Sequence, residues 1–211
     1  MLVVSIVEMR ETWGIFRELC QVLQVVRCYS GGMNNLQTKV LETKRLLLRH
    51  LTLNDLDDLY ALYREGEVTQ YVPDAPKSYE ETKEELASII RKYYGRYGFG
   101  LWGTIFKESG SFIGRCGLIP RIIEEHEEVE VAYAISRKYW GKGLGTEAAQ
   151  AIAQYGFEHL HFSRLICITA SENHASIRVA RKIGMAFEKE VEVDGKRALL
   201  FSAARPPEIR R

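Results

Sequence analysis

Arg137-Lys138-Tyr139-Trp140-Gly141-Lys142-Gly143-Leu144-Gly145-Thr146-Glu147-Ala148 joins an alternating apolar segment to a helical one. Its glycines fall at alternate positions, 141, 143 and 145. Glycine reaches left-handed backbone angles without a Cβ penalty, and the bare N–H groups of such a turn can converge on an anion. A helix starting at the last glycine adds unpaired N–H groups and the positive end of its dipole. The expected object is a diphosphate cradle between a strand and a helix. Two familiar cradles fail on spacing. A dinucleotide fingerprint needs G-x-G-x-x-G and a ribose-binding acid, whereas the spacing here is G-x-G-x-G. A P-loop needs Gly-Lys followed by Ser or Thr, and here Gly143 follows Lys142. Spacing alone leaves a purely structural turn open.

Working outward, Leu101–Phe106, Phe112–Ile119 and Val129–Ile135 read as strands, the first two joined by Lys107-Glu108-Ser109-Gly110. In the third, Val129, Val131, Tyr133 and Ile135 alternate with Glu128, Glu130, Ala132 and Ala134. Before them, Leu46–His50 reads as a short strand. Thr52 with Asp55 resembles a capping box opening a helix through Leu56, Leu59 and Leu62. Ser78-Tyr79-Glu80-Glu81 opens a second helix carrying Leu86, Ile89, Ile90, Tyr93 and Tyr97. After the glycines come a helix from about Gly145 to His159, a strand at Leu165–Thr169 and a helix at about Ala175–Ile183. A hairpin turns on Asp194-Gly195, between Val191–Val193 and Ala198–Phe201. The order β-α-α-β-β-β-α-β-α-β-β predicts an α/β fold, a mixed sheet flanked by helices.

With 211 residues, 46% hydrophobic and 27% charged, the chain can bury one good core. The boundaries expected are an N-terminal extension over 1–37, one domain over 38–204 and a disordered tail over 205–211. Trp13, Phe16, Leu19, Leu23 and Val26 stand at helical spacing and could form a docking segment. The preferred reading of the extension is a flexible arm, or upstream sequence ahead of a true start at Met33. A net charge of +1 carries no basic excess, so general nucleic-acid binding is not expected. No apolar run is long enough to cross a bilayer, and Leu2–Val7 lacks the flanks of a secretory signal. Cys20, Cys28, Cys116 and Cys167 form no CxxC, and His50, His159, His161 and His174 show no ligand spacing, so no metal is expected. The chain reads as cytoplasmic, a monomer or homodimer.

The glycine turn resembles the acyl-CoA-binding motif of the GNAT acetyltransferases, Gln/Arg-x-x-Gly-x-Gly/Ala, with Trp140 in place of the Gln or Arg. Tyr139-Trp140-Gly141-Lys142-Gly143 followed by Thr146-Glu147-Ala148 is similar to the branch that acetylates the N-termini of ribosomal proteins. Asn173-His174-Ala175-Ser176 with Lys182-Ile183-Gly184-Met185 resembles a second motif of that branch, Met185 replacing Phe. Glu42-Thr43-Lys44-Arg45-Leu46-Leu47-Leu48-Arg49 resembles its first strand. Together the resemblance spans about Leu41 to Phe201.

That resemblance implies an acyl-CoA N-acyltransferase fold with splayed central strands and acetyl-CoA as co-substrate. Ala134 and Ile135 would offer backbone to the pantetheine arm, and Gly141, Lys142, Gly143, Leu144, Gly145 and Thr146 would hold the pyrophosphate. Asn173 would bond the arm, or cap a helix, or both. The tyrosine that many GNAT enzymes place seven residues after this Asn is replaced by Ala180. The branch's serine falls at Ser176, implying a proton donor to the leaving thiolate; the plain alternative is a first-turn helix serine. Glu130, opposite Val129 and Val131 on its strand, is the candidate base or amine-orienting group. Glu128 and His126 lie near it, and Glu124, Glu125, Glu127 and Glu128 otherwise read as a solvated loop. The expected acceptor is a primary amine, a protein N-terminus or a small molecule. Alternatives are an amino acid, polyamine or antibiotic acetyltransferase, and a non-catalytic acyl-CoA-binding module.

Overall fold

The computed structural model describes residues 38–205 apart from Pro73. The extension over 1–37 and the tail beyond Arg205 lie outside the described residues. Eight strands form one sheet in the order β1-β2-β3-β4-β5-β6-β8-β7. They are β1 (Lys39–Glu42), β2 (Leu46–Arg49), β3 (Leu101–Phe106), β4 (Ser111–Ile123), β5 (His126–Ile135), β6 (Arg164–Thr169), β7 (Ala186–Val193) and β8 (Lys196–Ala204). Every neighbouring pair is antiparallel except β5 and β6, which run parallel. A parallel pair needs a crossover, supplied here by helix α4 (Leu144–Glu158). The other helices are α1 (Leu56–Tyr63), the single turn α2 (Gly66–Thr69), α3 (Tyr79–Ser88) and α5 (His174–Lys182).

The expected mixed sheet is thus present, with local differences of identifiable cause. The segment expected to be one opening strand is a hairpin. Thr43 donates its N–H to the Leu46 carbonyl and its Oγ1 accepts the Leu46 N–H, both at 2.9 Å, closing a tight turn between β1 and β2. Strands β4 and β5 outrun their predicted ends because the chain reverses only at Glu124 and Glu125, both at positive φ. Glu127 and Glu128 are therefore strand residues, not loop, and Glu128 pairs with Arg164 of β6 at 3.0 Å. The cap at Ser78 holds: its Oγ accepts the Glu81 N–H at 3.1 Å. The helix it opens continues past α3 as a π-helical stretch, Ile89–Tyr97, and stops at Gly98 with φ 71°. At Thr52 the N–H donates to Asp55 Oδ2 at 2.7 Å, opening a 3₁₀ turn that feeds α1.

Two apolar layers cover the two faces of the sheet. On one, Leu118, Val129, Val131 and Ile135 pack with Leu144, Ala148 and Ile152 of α4 and Ala180 of α5. On the other, Leu101, Ile119 and Ala134 pack with Leu59 and Leu62 of α1 and Leu86 of α3. Alternation along β5 sends Tyr133 to the α4–α5 face, and Glu130, Ala132 and Ala134 to the α1–α3 face.

Candidate active site

Strands β5 and β6 share one rung, Glu130 opposite Ile166. Beyond it β5 stays paired with β4 through Ile135, and β6 stays paired with β8 through Thr169. The two parallel strands therefore part as a fork, which is the splayed geometry expected. At its open end stand the starts of α4 and α5.

The glycine turn closes one arm of the fork. Gly141 and Gly143 have φ of 74° and 77°, and Gly143 is the residue from which α4 starts. Left-handed angles at these two positions are what the glycines permit. Side chains support the turn from behind. Arg45 Nη1 donates to the Lys142 carbonyl at 2.9 Å. In a trans peptide the C=O and the next N–H point in opposite directions, so this bond turns the Gly143 N–H away from Arg45. Arg45 is itself held by Glu147 in the first turn of α4. Glu147 accepts from Arg45 Nε (2.7 Å), the Arg45 N–H (2.9 Å) and Thr43 Oγ1 (2.6 Å). Burial raises the Glu147 pKa, but these bonds outweigh it and leave the carboxyl below its ordinary value. Trp140 donates its indole N–H to the Ile135 carbonyl at 2.6 Å, so that carbonyl is already engaged. Lys142 lays its ammonium over the Tyr139 ring at 5.2 Å. From the α1–α2 side, Glu65 accepts the Arg137 N–H at 2.7 Å. Alternate glycines, freed strand backbone and a helix start together fit a diphosphate with a linear arm.

On the other arm, Asn173 caps α5: its Oδ1 accepts the Ser176 N–H at 3.0 Å. The cap reading of Asn173 is met, and it places Ser176 in the first turn. Ser176 Oγ lies 2.8 Å from the hydroxyl of Tyr133, across the fork on β5. Burial pushes the Tyr133 phenol up, so it stays protonated. Cys167 of β6 borders both hydroxyls, and burial pushes its thiol up to about 12.

Glu130 is not beside Ser176 in this arrangement, since it faces the α1–α3 layer. It is 7% exposed, and its Oε2 accepts from Arg121 Nε at 2.7 Å. Nearby on that face, Arg115 of β4 sits 5.4 Å from the Tyr63 ring, and its Nε has no hydrogen-bond partner. Tyr63 donates its hydroxyl to Glu85 at 2.6 Å. A cavity of about 530 Å³ opens beside Tyr63, lined also by Arg64, Thr69, Gln70, Val72 and Lys77. Tyr133, Arg45, Glu147 and Arg121 were not singled out from sequence. For Arg45 and Glu147 the available signal was their place inside two of the quoted motifs. Among the described residues, no group of three or more His, Cys, Asp or Glu side chains could hold a metal ion, and no helix is long and apolar enough to cross a membrane.

Residues 45–186 match the family model of the acetyltransferase (GNAT) domain. The chain is 35% identical over 158 residues to the uncharacterized protein YkkB of Bacillus subtilis, covering 74% of this chain and 90% of that protein. It is 39% identical over 144 residues to spermidine N(1)-acetyltransferase of Escherichia coli, covering 68% and 74%. The structure of RimL, a ribosomal L7/L12 α-N-protein acetyltransferase in complex with coenzyme A, superposes with a TM-score of 0.65 at 16% identity, covering 79% of this chain and 97% of that one. The glycine turn and the fork between β5 and β6 thus lie inside a matched family domain, and the chain belongs to the GNAT family as an acetyl-CoA-dependent N-acetyltransferase.

Proposed function

We propose that the chain transfers the acetyl group directly from acetyl-CoA to a primary amine held on the α1–α3 face of the sheet. The observation carrying this reading is the single rung between β5 and β6, which leaves strand backbone free beside the glycine cradle. The N–H groups of the turn and of α4 would hold the pyrophosphate, and the Ile135 N–H and Asn173 would bracket the arm, since Ala134 pairs with Arg115 of β4. Orientation of the two reactants in the fork is the main contribution asked of the protein. A strand N–H beside the thioester carbonyl would stabilise the developing oxyanion. Ser176, on the α4–α5 face, would donate to the leaving sulfur. Glu130, on the opposite face, would attract and orient the ammonium or accept its proton through water, with Arg121 holding its carboxylate in place.

The test is release of free CoA thiol from acetyl-CoA across a panel of amines, including peptides with free N-termini. CoA binding without turnover on any amine would replace this reading by that of a binding module. Ser176→Ala should lower kcat by about 10²–10⁴-fold, less if water substitutes, with CoA affinity nearly unchanged. Glu130→Gln should impair turnover most where the acceptor is protonated and recover as pH rises. A defect constant with pH would assign Glu130 to orientation alone. A second reading, a polyamine acceptor, is favoured by the similarity to spermidine N(1)-acetyltransferase, and spermidine in the panel separates it from a peptide N-terminus.

A further inference from the structure

The bond between Tyr133 and Ser176 crosses the open part of the fork. Tyr133 lies three residues past Glu130, the last β5 residue opposite β6, and Ser176 sits in the first turn of α5, the helix that follows β6. Each arm thus contributes one hydroxyl, and the two oxygens are 2.8 Å apart. In such a pair the phenol is the stronger acid and the alkyl hydroxyl the better acceptor, so Tyr133 donates and Ser176 accepts. A serine hydroxyl carries one hydrogen. With its oxygen engaged by Tyr133, that hydrogen can point to the neighbouring Cys167 sulfur or into the fork. Ser176 is also held through its backbone, whose N–H donates to Asn173 Oδ1 at 3.0 Å. The position of the helix turn and the direction of the hydroxyl are therefore set by different partners.

We infer that Tyr133 is the positioning residue that turns the Ser176 hydroxyl proton toward the sulfur leaving between β5 and β6. This rests on the reading of Ser176 as donor to that sulfur. In the step it serves, the amine nitrogen gives its lone pair to the acetyl carbon and a C–N bond forms. The C–S bond breaks with its electron pair on sulfur. The surplus proton on nitrogen leaves to solvent. Sulfur takes the Ser176 proton, solvent returns one proton to Ser176 at product release, and Tyr133 keeps its own throughout. Tyr133 does not touch the reacting atoms; it acts through Ser176, and polarises it as one hydrogen bond of a chain polarises the next.

Tyr133→Phe removes one oxygen and keeps the ring, so the melting temperature reports whether the packing survives. Four proteins are compared: unchanged, Tyr133→Phe, Ser176→Ala and the double variant. The first readout is not turnover. The thiolate absorbance of bound CoA is titrated with pH. A hydroxyl aimed at sulfur stabilises the thiolate, so the bound thiol should titrate below that of free CoA, and both single variants should lose this shift. In kinetics, Tyr133→Phe should lower kcat by about 10–10²-fold, less than removal of the donor itself, with KM for acetyl-CoA unchanged. The double variant should be no slower than Ser176→Ala, because a residue acting through Ser176 has nothing to act on once Ser176 is gone.

A slowed Ser176→Ala together with a normal Tyr133→Phe would overturn the role of Tyr133 and leave that of Ser176 intact. A double variant slower by the product of the two single effects would also overturn it, since the residues would then act independently. Unchanged turnover in Ser176→Ala with CoA still bound would remove both roles at once. Should Tyr133→Phe lose its cooperative melt, the CoA thiolate titration in Ser176→Ala decides: an unshifted thiol supports the aimed hydroxyl, and a retained shift overturns it.

Discussion

Replacing Arg45 by Met would test whether the glycine cradle is set by its own glycines or by the hairpin behind it. The substitution keeps an unbranched apolar stem, ends it short of the guanidinium and removes every side-chain donor. Two bonds vanish: Nη1 to the Lys142 carbonyl and Nε to Glu147. The Arg45 side chain is 40% exposed, so the ion pair itself contributes at most about 1 kcal/mol after solvent screening. The larger consequence lies in the Lys142–Gly143 peptide. Once free to rotate, it must be ordered again when a pyrophosphate binds, at about 1–2 kcal/mol for one residue's backbone. At 1.4 kcal/mol per factor of ten, CoA affinity should fall about 5- to 30-fold. Titration calorimetry with CoA and with pantetheine, which lacks the diphosphate, separates this effect from damage to the fork. Pantetheine affinity should hold within about twofold, a difference below half a kcal/mol. CoA binding left intact in the variant, or an equal loss for pantetheine, would refute the argument that Arg45 sets the Gly143 N–H.

Acetyl-CoA should raise the melting temperature in a concentration-dependent way, because it binds the folded state alone, and absence of any shift at millimolar ligand would count against the cradle. Gly143→Val places a β-branched residue at φ 77°, at a cost of about 1–2 kcal/mol, with its Cβ 3.6 Å from Arg45 Nη2, and should weaken that shift by distorting the turn and its Arg45 support. Asp55→Asn should destabilise the domain by about 3–5 kcal/mol in urea unfolding at neutral pH, because Arg49 and Asp55 form a buried two-point ion pair at 2.6 and 2.9 Å. The same pair predicts an acid limb of stability. Burial raises the Asp55 pKa, but the bonds from Arg49 and Thr52 outweigh it and leave the folded value below the ordinary one. The contribution is therefore full above about pH 3.9 and lost as pH falls through the folded pKa, and Asp55→Asn should flatten that limb.

The amino-acid sequence by itself located the glycine turn, because alternate glycines between a strand and a helix form a local pattern that needs no distant neighbour. The Ser78 cap and the Asp194-Gly195 turn were legible for the same reason: each is decided within a few residues. The motifs also carried the family, which the domain match then showed. Tertiary structure decided the rest. Tyr133 and Ser176 are 43 positions apart, and Arg45 and Glu147 are 102 apart. No local spacing announces such pairs, which exist only because the sheet order sets β1 and β2 within reach of the α4 start and β5 beside β6. The partner of Glu130 was hidden in the same way. Alternation showed that Glu130 faces opposite its valines, but only the β4–β5 register, with the hairpin turning at Glu124 and Glu125, brings Arg121 to its carboxylate. Backbone angles follow from short-range sterics and are written locally, whereas which side chains meet across a fork depends on how distant strands are ordered and aligned.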